Sequence, residues 1–169
     1  DPAFREQVVT PDTTGVAHLA ALTSVLESVR HPAAIYETNV AMTAGLLERV
    51  REVGVERFAF ASTNAVTGDV GAGPITEARP LAPLTPYGST KAAAEMLLSA
   101  YTHSYGIRGA ALRFANVYGP GMGHKDSFIP RLMRAARDGG AVEIFGDGTQ
   151  VRDFVHVHDI AAAVRDALA

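Results

Sequence analysis

The chain has 169 residues, 47% of them hydrophobic, with 15 Lys and Arg against 18 Asp and Glu and no cysteine. That length buries one sizeable core, the apolar content is too high for a disordered chain, and the nearly balanced charge leaves no basic stripe for a nucleic acid backbone. Without cysteine there is neither a disulfide framework nor a thiolate metal site, and no run is long enough to span a membrane as an apolar helix, so a cytoplasmic protein with a neutral or anionic small-molecule partner is expected.

The chain opens Asp1-Pro2-Ala3-Phe4, with neither an initiating Met nor a signal peptide, which predicts a piece of a longer protein. Residues 16–21 (Val-Ala-His-Leu-Ala-Ala) follow a turn-like Thr-Pro-Asp-Thr-Thr-Gly and read as a buried strand whose far end faces a ligand cleft. His18 within it reads as a hydrogen-bonded core histidine rather than a ligand. From residue 36 to 53 the apolar positions Val40, Leu46, Leu47 and Val50 have helical spacing, and Gly54 stands where such a helix stops. A strand at 57–61, a helix at 86–105 ended by Gly106, and a strand at 108–114 follow.

Alternation of this kind predicts an α/β fold with a parallel sheet covered by helices on both faces. Two further helices are expected at 128–137 and 158–168, separated by a short strand at 142–145 and a Gly-Asp-Gly turn at 146–148. Residues 68–85 are rich in Gly and Pro, and so long a connection inside an α/β unit reads as a functional loop.

Tyr87 and Lys91 stand four residues apart, with Thr85 placed as N-cap and Pro86 at the first helical position, so both side chains leave one face of the helix start. Alone the pair reads as a packed Tyr beside a solvated Lys. Upstream, however, Ser62-Thr63 closes a strand, where a hydroxyl faces the cleft of a doubly wound sheet. A hydroxyl, a phenol and an ammonium can then converge, and an ammonium near a phenol favours the phenolate, which suits proton removal from a substrate hydroxyl.

Further segments extend the pattern: His18-Leu19-Ala20-Ala21, Asn39-Val40, residues 62–68 (Ser-Thr-Asn-Ala-Val-Thr-Gly), Tyr87-Gly88-Ser89-Thr90-Lys91, residues 112–121 (Leu-Arg-Phe-Ala-Asn-Val-Tyr-Gly-Pro-Gly) and residues 146–159 (Gly-Asp-Gly-Thr-Gln-Val-Arg-Asp-Phe-Val-His-Val-His-Asp). In this order they resemble the extended short-chain dehydrogenase/reductases, the NAD-dependent nucleotide-sugar epimerases, dehydratases and decarboxylases, and within them the UDP-glucose 4-epimerase type. The resemblance implies a doubly wound, Rossmann-like sheet lacking its first strands, with a partial NAD-binding domain over 1–120 and the start of a substrate-binding region with the last shared helix over 121–169. It implies NAD as cofactor, a nucleotide-diphosphate sugar such as a UDP-hexose as partner, and a homodimer of the full-length form through the helices at 36–53 and 86–105.

By the same resemblance Tyr87 removes the sugar 4-hydroxyl proton while hydride passes to NAD, and Thr63 holds that oxygen. Lys91 binds the nicotinamide ribose and lowers the Tyr87 pKa, and Asn39 is an auxiliary catalytic group. Ala20, Ala21, Ser62 and Phe114 join Tyr87 and Lys91 around the cofactor, while Asn64, Asn116 and Arg152 bind the nucleotide sugar, Arg being suited to phosphate by its planar fork. On residue chemistry alone Asn116 reads as organising a turn and Arg152 as pairing with Asp153, and it is the family pattern that reverses that preference. No metal is implied: His156 and His158 read as one face of an extended segment, and Asp159 as the cap of the last helix.

Asn64 and Ala65 stand where the sugar 4,6-dehydratases carry Asp-Glu, so the groups that eliminate water are missing and the expected reaction is epimerisation, hydride out and back through a 4-keto sugar. A reductase using the same triad is the alternative enzyme. Thr67 replaces the usual Tyr before Gly68, and no Gly-x-x-Gly-x-x-Gly turn occurs, the feature that binds the cofactor pyrophosphate. That absence leaves a non-catalytic scaffold or an inactive truncated remnant as the reading of another class.

Overall fold

A three-residue strand, β1 (Val16–His18), and two of seven residues, β2 (Arg57–Thr63) and β3 (Arg108–Phe114), form a parallel sheet in the order β1-β2-β3. They belong to a computed structural model that describes residues 2–71 and 73–169. By its packing the chain divides into two compact units, residues 1–114 with 163–169, and residues 115–162. That seam falls at Phe114, whereas the resemblance puts its functional division at 120.

In the first unit β2 is central, and Phe58 and Phe60 are both essentially inaccessible to solvent. They pack with Leu47 and Val50 of helix α4 (Met42–Val53), with Ala94 and Leu98 of helix α5 (Pro86–Tyr105), and with Val9, Val55 and Ile107. The aromatic pair alone contributes about 1.5–3 kcal/mol per ring by burial. Helix α5 has the predicted bounds: Thr85 is its N-cap, its hydroxyl accepting from the Gly88 N–H at 3.1 Å, Pro86 opens it, and Gly106 ends it with φ 72°.

Elsewhere the expectations need correction. The first strand stops at His18 rather than residue 21, because the backbone beyond it leaves the sheet: the N–H and C=O of Leu22 are both held by the Asn39 side chain. The expected helix over 36–53 is interrupted: Tyr36 ends a preceding α-helix, Glu37–Ala41 is π-helical, and the α-helix resumes at Met42. Three short helices were not legible in the spacing: α1 (Pro2–Val8), α2 (Val25–Arg30) and α3 (Pro32–Tyr36). The 57–61 strand runs on to Thr63, and residues 64–67 form a 3₁₀ turn.

The second unit pairs two short parallel strands, β4 (Asn116–Tyr118) and β5 (Phe154–His156), with helix α6 (Phe128–Asp138); helix α7 (Val157–Ala167) follows. The strand expected at 142–145 is absent, since Ile144 and Phe145 find no ladder partner and stay largely exposed. Among the described residues no helix is long and apolar enough to cross a membrane.

Candidate active site

Thr63 ends β2 and Tyr87 lies in the first turn of α5, both only 9% exposed, and the Thr63 hydroxyl is placed where it favours the Tyr87 phenolate. The Thr63 hydroxyl also accepts the Ala65 N–H at 3.2 Å, which fixes it at the mouth of the 3₁₀ turn. Burial pushes the Tyr87 pKa above its ordinary value, and the Thr63 hydroxyl opposes the rise.

Lys91, one helical turn along, is buried and donates to the Ala61 carbonyl at 2.8 Å, its ammonium 4.6 Å from the centre of the Phe60 ring. Burial brings its pKa down to about 8. The expectation that Lys91 lowers the Tyr87 pKa is therefore corrected: the ammonium is aimed at a carbonyl and an aromatic face, and desolvation dominates at the phenol. Its other two protons are left over from that one carbonyl bond, so it retains donors for a ribose hydroxyl.

His18 behaves as the sequence suggests, 5% exposed and with Nε2 2.8 Å from the Thr43 hydroxyl. Burial first, and the Lys91 charge second, bring its pKa down to about 4, so it is neutral at physiological pH. Asn39 sits in the π-helical segment, 2% exposed, with every polar atom engaged: Oδ1 accepts from Leu22 N–H, and Nδ2 donates to the Leu22 carbonyl and to the Thr90 hydroxyl. It is thus placed to orient α5 rather than to touch a substrate, consistent with the frequent use of π-helical turns at functional sites.

Ala20, exposed, and Ala21, half-buried, lie just past the end of β1 with small side chains. Phe114 pairs in register with Thr63 across β2 and β3. Ser62 faces away from Thr63, as consecutive strand residues must, and its hydroxyl is committed to the Glu95 carboxylate, so any cofactor contact from Ser62 falls to its backbone. Asn64 is half-buried in the 3₁₀ turn, whose closing bond comes from the Thr67 hydroxyl to the Asn64 carbonyl at 2.8 Å. Thr67 therefore has a local role of its own where the family pattern has Tyr.

Asn116 and Arg152 sit in the second unit. Asn116 joins β4 to the strand beside it through two bonds to the Asp153 carbonyl, from its backbone N–H at 3.1 Å and from Nδ2 at 3.0 Å. Arg152 is exposed, donates to the Val151 carbonyl, and lines a pocket of about 400 Å³ with Phe128, Arg131, Phe145, Gln150 and Phe154, a size suited to a small-molecule ligand. The His156 and His158 rings lie 4.7 Å apart. Asp159 is the third residue of α7 rather than its cap, and His158 is helical rather than extended.

Sequence reasoning missed two groups at the site. Glu95 is 8% exposed on α5 and accepts from Ser62 and, through both oxygens, from Arg113. Its signal was present as an acidic residue four beyond Lys91 in an otherwise apolar stripe. Gly88 is the second: a Cβ there would lie 2.7 Å from the Ala65 carbonyl, so the turn after Thr63 and the start of α5 approach as closely as they do only because position 88 has no side chain.

Residues 1–169 match the family model of the NAD dependent epimerase/dehydratase family. The chain is 38% identical over 160 residues to a dTDP-glucose 4,6-dehydratase of Mycobacterium tuberculosis, covering 93% of this chain and 48% of that protein. Among solved structures it is similar to a UDP-N-acetylglucosamine 4-epimerase from Methanobrevibacter ruminantium, with TM-score 0.92 and 33% identity over 97% of this chain and 54% of the other. It is also similar to a Thermus thermophilus UDP-glucose 4-epimerase solved with NAD, with TM-score 0.86 and 37% identity over 99% and 57%. The chain spans about half the length of the relatives it matches.

Proposed function

The chain belongs to the NAD dependent epimerase/dehydratase family, and on that premise we propose that it carries the catalytic portion of an NAD-dependent nucleotide-sugar 4-epimerase acting on a UDP-hexose. The observation that carries the choice is the turn after β2: the hydroxyl of Thr63 favours the Tyr87 phenolate, and the next two residues are Asn64 and Ala65. Relatives include both 4-epimerases and 4,6-dehydratases. Water elimination needs an acid and a base at that turn, and an amide and a methyl supply neither.

The residues present fit NAD. Small Ala20 and Ala21 beyond β1 permit close approach, Lys91 keeps spare donors, and Phe114 lies in register with Thr63. When bound, NAD supplies a hydride acceptor at the sugar C4 and returns that hydride to the other face. Thr63 orients the 4-hydroxyl, Tyr87 accepts its proton as the C4–H bond breaks, and the same phenol returns the proton when the keto sugar is reduced. In this reading Asn64, Asn116 and Arg152 hold the nucleotide sugar, Arg152 by its fork on phosphate oxygens. Homodimerisation through α4 and α5 belongs to the same reading, supported by the exposed Met96 and Tyr105 on α5.

The test uses protein expressed from the complete reading frame. It should bind NAD and interconvert UDP-glucose and UDP-galactose, and Tyr87→Phe should bind NAD yet lose turnover. Conversion of dTDP-glucose to its 4-keto-6-deoxy product, or turnover undiminished in Tyr87→Phe, would sink the epimerase reading.

A further inference from the structure

The end of β2 carries two consecutive hydroxyls on opposite faces, one for the cleft and one for the interior. Thr63 meets Tyr87, whereas Ser62, 4% exposed, donates to Glu95. Glu95 stands four residues beyond Lys91 and eight beyond Tyr87, close to the same stripe of α5. Its carboxylate also receives Arg113 of β3, from Nε at 3.1 and 3.2 Å and from Nη2 at 2.9 Å. Arg113 is in register with Ser62, as Phe114 is with Thr63, and its Nη1 points to the Arg79 carbonyl in the 68–85 loop at 3.5 Å.

We propose that Glu95 is a positioning residue for the Thr63 and Tyr87 pair, acting through Ser62 and Arg113 to lock the catalytic face of α5 against the carboxyl ends of β2 and β3. This rests on the reading of Tyr87 as the proton acceptor. Stability alone does not call for such a cluster, because well-packed apolar side chains of similar volume generally hold a fold as well as a buried ion pair. Directional bonds do something apolar packing does not: they fix how far the helix slides along the strands. One ångström of slip at Ser62 would be felt at Thr63, the adjacent residue, and misplacement on that scale costs on the order of a hundredfold in rate.

The experiment uses protein from the complete reading frame, saturated with NAD. The double variant Glu95→Leu with Arg113→Met removes both charges together, so no unpaired charge is left buried. We expect a melting temperature close to that of the unmodified protein, a KM for UDP-glucose within about twofold, and kcat lower by roughly ten- to a hundredfold. The Tyr87 phenolate titration, read as the ultraviolet difference from Tyr87→Phe, should move upward as the Thr63 hydroxyl is displaced. An unchanged kcat and an unchanged titration would overturn the proposal. Should the double variant not fold, Ser62→Ala leaves the Glu95 and Arg113 pair intact and is expected to shift the same titration; no shift there overturns the proposal as well. The titration needs no sugar substrate, so it decides the role of Glu95 even if the unmodified protein turns over no UDP-hexose, an outcome that counts against the epimerase reading alone.

Discussion

Asn39 holds the backbone of Leu22 by both ends of its amide: Oδ1 accepts the Leu22 N–H at 2.9 Å and Nδ2 donates to the Leu22 carbonyl at 2.9 Å. The side chain thus replaces a strand partner for a segment that has left the sheet, and its second amide proton reaches Thr90, whose hydroxyl in turn donates to the Tyr87 carbonyl at 2.8 Å. Removing it as Asn39→Ala takes away three hydrogen bonds, to the Leu22 N–H, the Leu22 carbonyl and the Thr90 hydroxyl, each worth about 0.5–1.5 kcal/mol. Chemical denaturation should show that loss, and Asn39→Asp should not repair it, because a carboxylate cannot donate to the Leu22 carbonyl or to Thr90.

His18 gives the protein an acid-sensitive core. Its folded pKa, about 4, lies below the ordinary 6.5, so the unfolded chain binds a proton that the folded one rejects. The stability gained is fully present above pH 6.5 and is lost as pH falls towards 4, amounting to about 3 kcal/mol at 1.36 kcal/mol per pKa unit. Denaturation midpoints across this window should slope upward with pH, and His18→Gln, which keeps a polar partner for Thr43 without titrating, should flatten the slope. An equal slope in both proteins would refute the assignment.

Lys91 sits in conflict between stability and chemistry. Desolvation lowers its pKa to about 8, so below that pH the folded state bears the full cost of a buried charge. Lys91→Met should melt at the same temperature or higher at pH 7 while losing turnover. A clear fall in melting temperature would show that the bond to Ala61 and the Phe60 contact outweigh the desolvation.

Thr63→Val removes the one interaction that holds the Tyr87 pKa down, leaving burial unopposed. The Tyr87 pKa should rise further, and the alkaline-rising limb of kcat/KM for UDP-glucose should move to higher pH, whereas Thr63→Ser should leave it in place. A pH profile unaltered in Thr63→Val would mean that Tyr87 titration does not limit the rate.

Gly88→Ala tests two effects of opposite sign. Helix propensity favours Ala by about 1 kcal/mol in a helix interior. The new Cβ, however, would lie 2.7 Å from the Ala65 carbonyl and 3.1 Å from Pro83 Cβ, and backbone yields less than a side-chain tip. Overpacking costs about 1–3 kcal/mol, so a net loss in the melting temperature is expected.

Local chemistry was sufficient for what lies within one element. The limits of α5 follow from Thr85, Pro86 and Gly106, the hydroxyls at the end of β2 from strand alternation, and the pairing of Tyr87 with Lys91 from helical repeat, all interactions spanning a few residues. The family was legible for a related reason, since its motifs lie in short runs whose order is itself sequence information. Tertiary structure decided whatever depends on partners distant in the chain. The end of β1 at His18 is set by Asn39, seventeen residues beyond Leu22. The strand expected at 142–145 failed for lack of a neighbour to complete its ladder, which no local pattern reports. The direction of the Tyr87 pKa was misjudged because spacing predicts that Lys91 is near but not where its ammonium points, and burial, a property of the assembled core, outweighs proximity at the phenol. Glu95 acquires its role only where α5, β2 and β3 meet, because a carboxylate in a sequence carries no sign of the serine and arginine that will surround it.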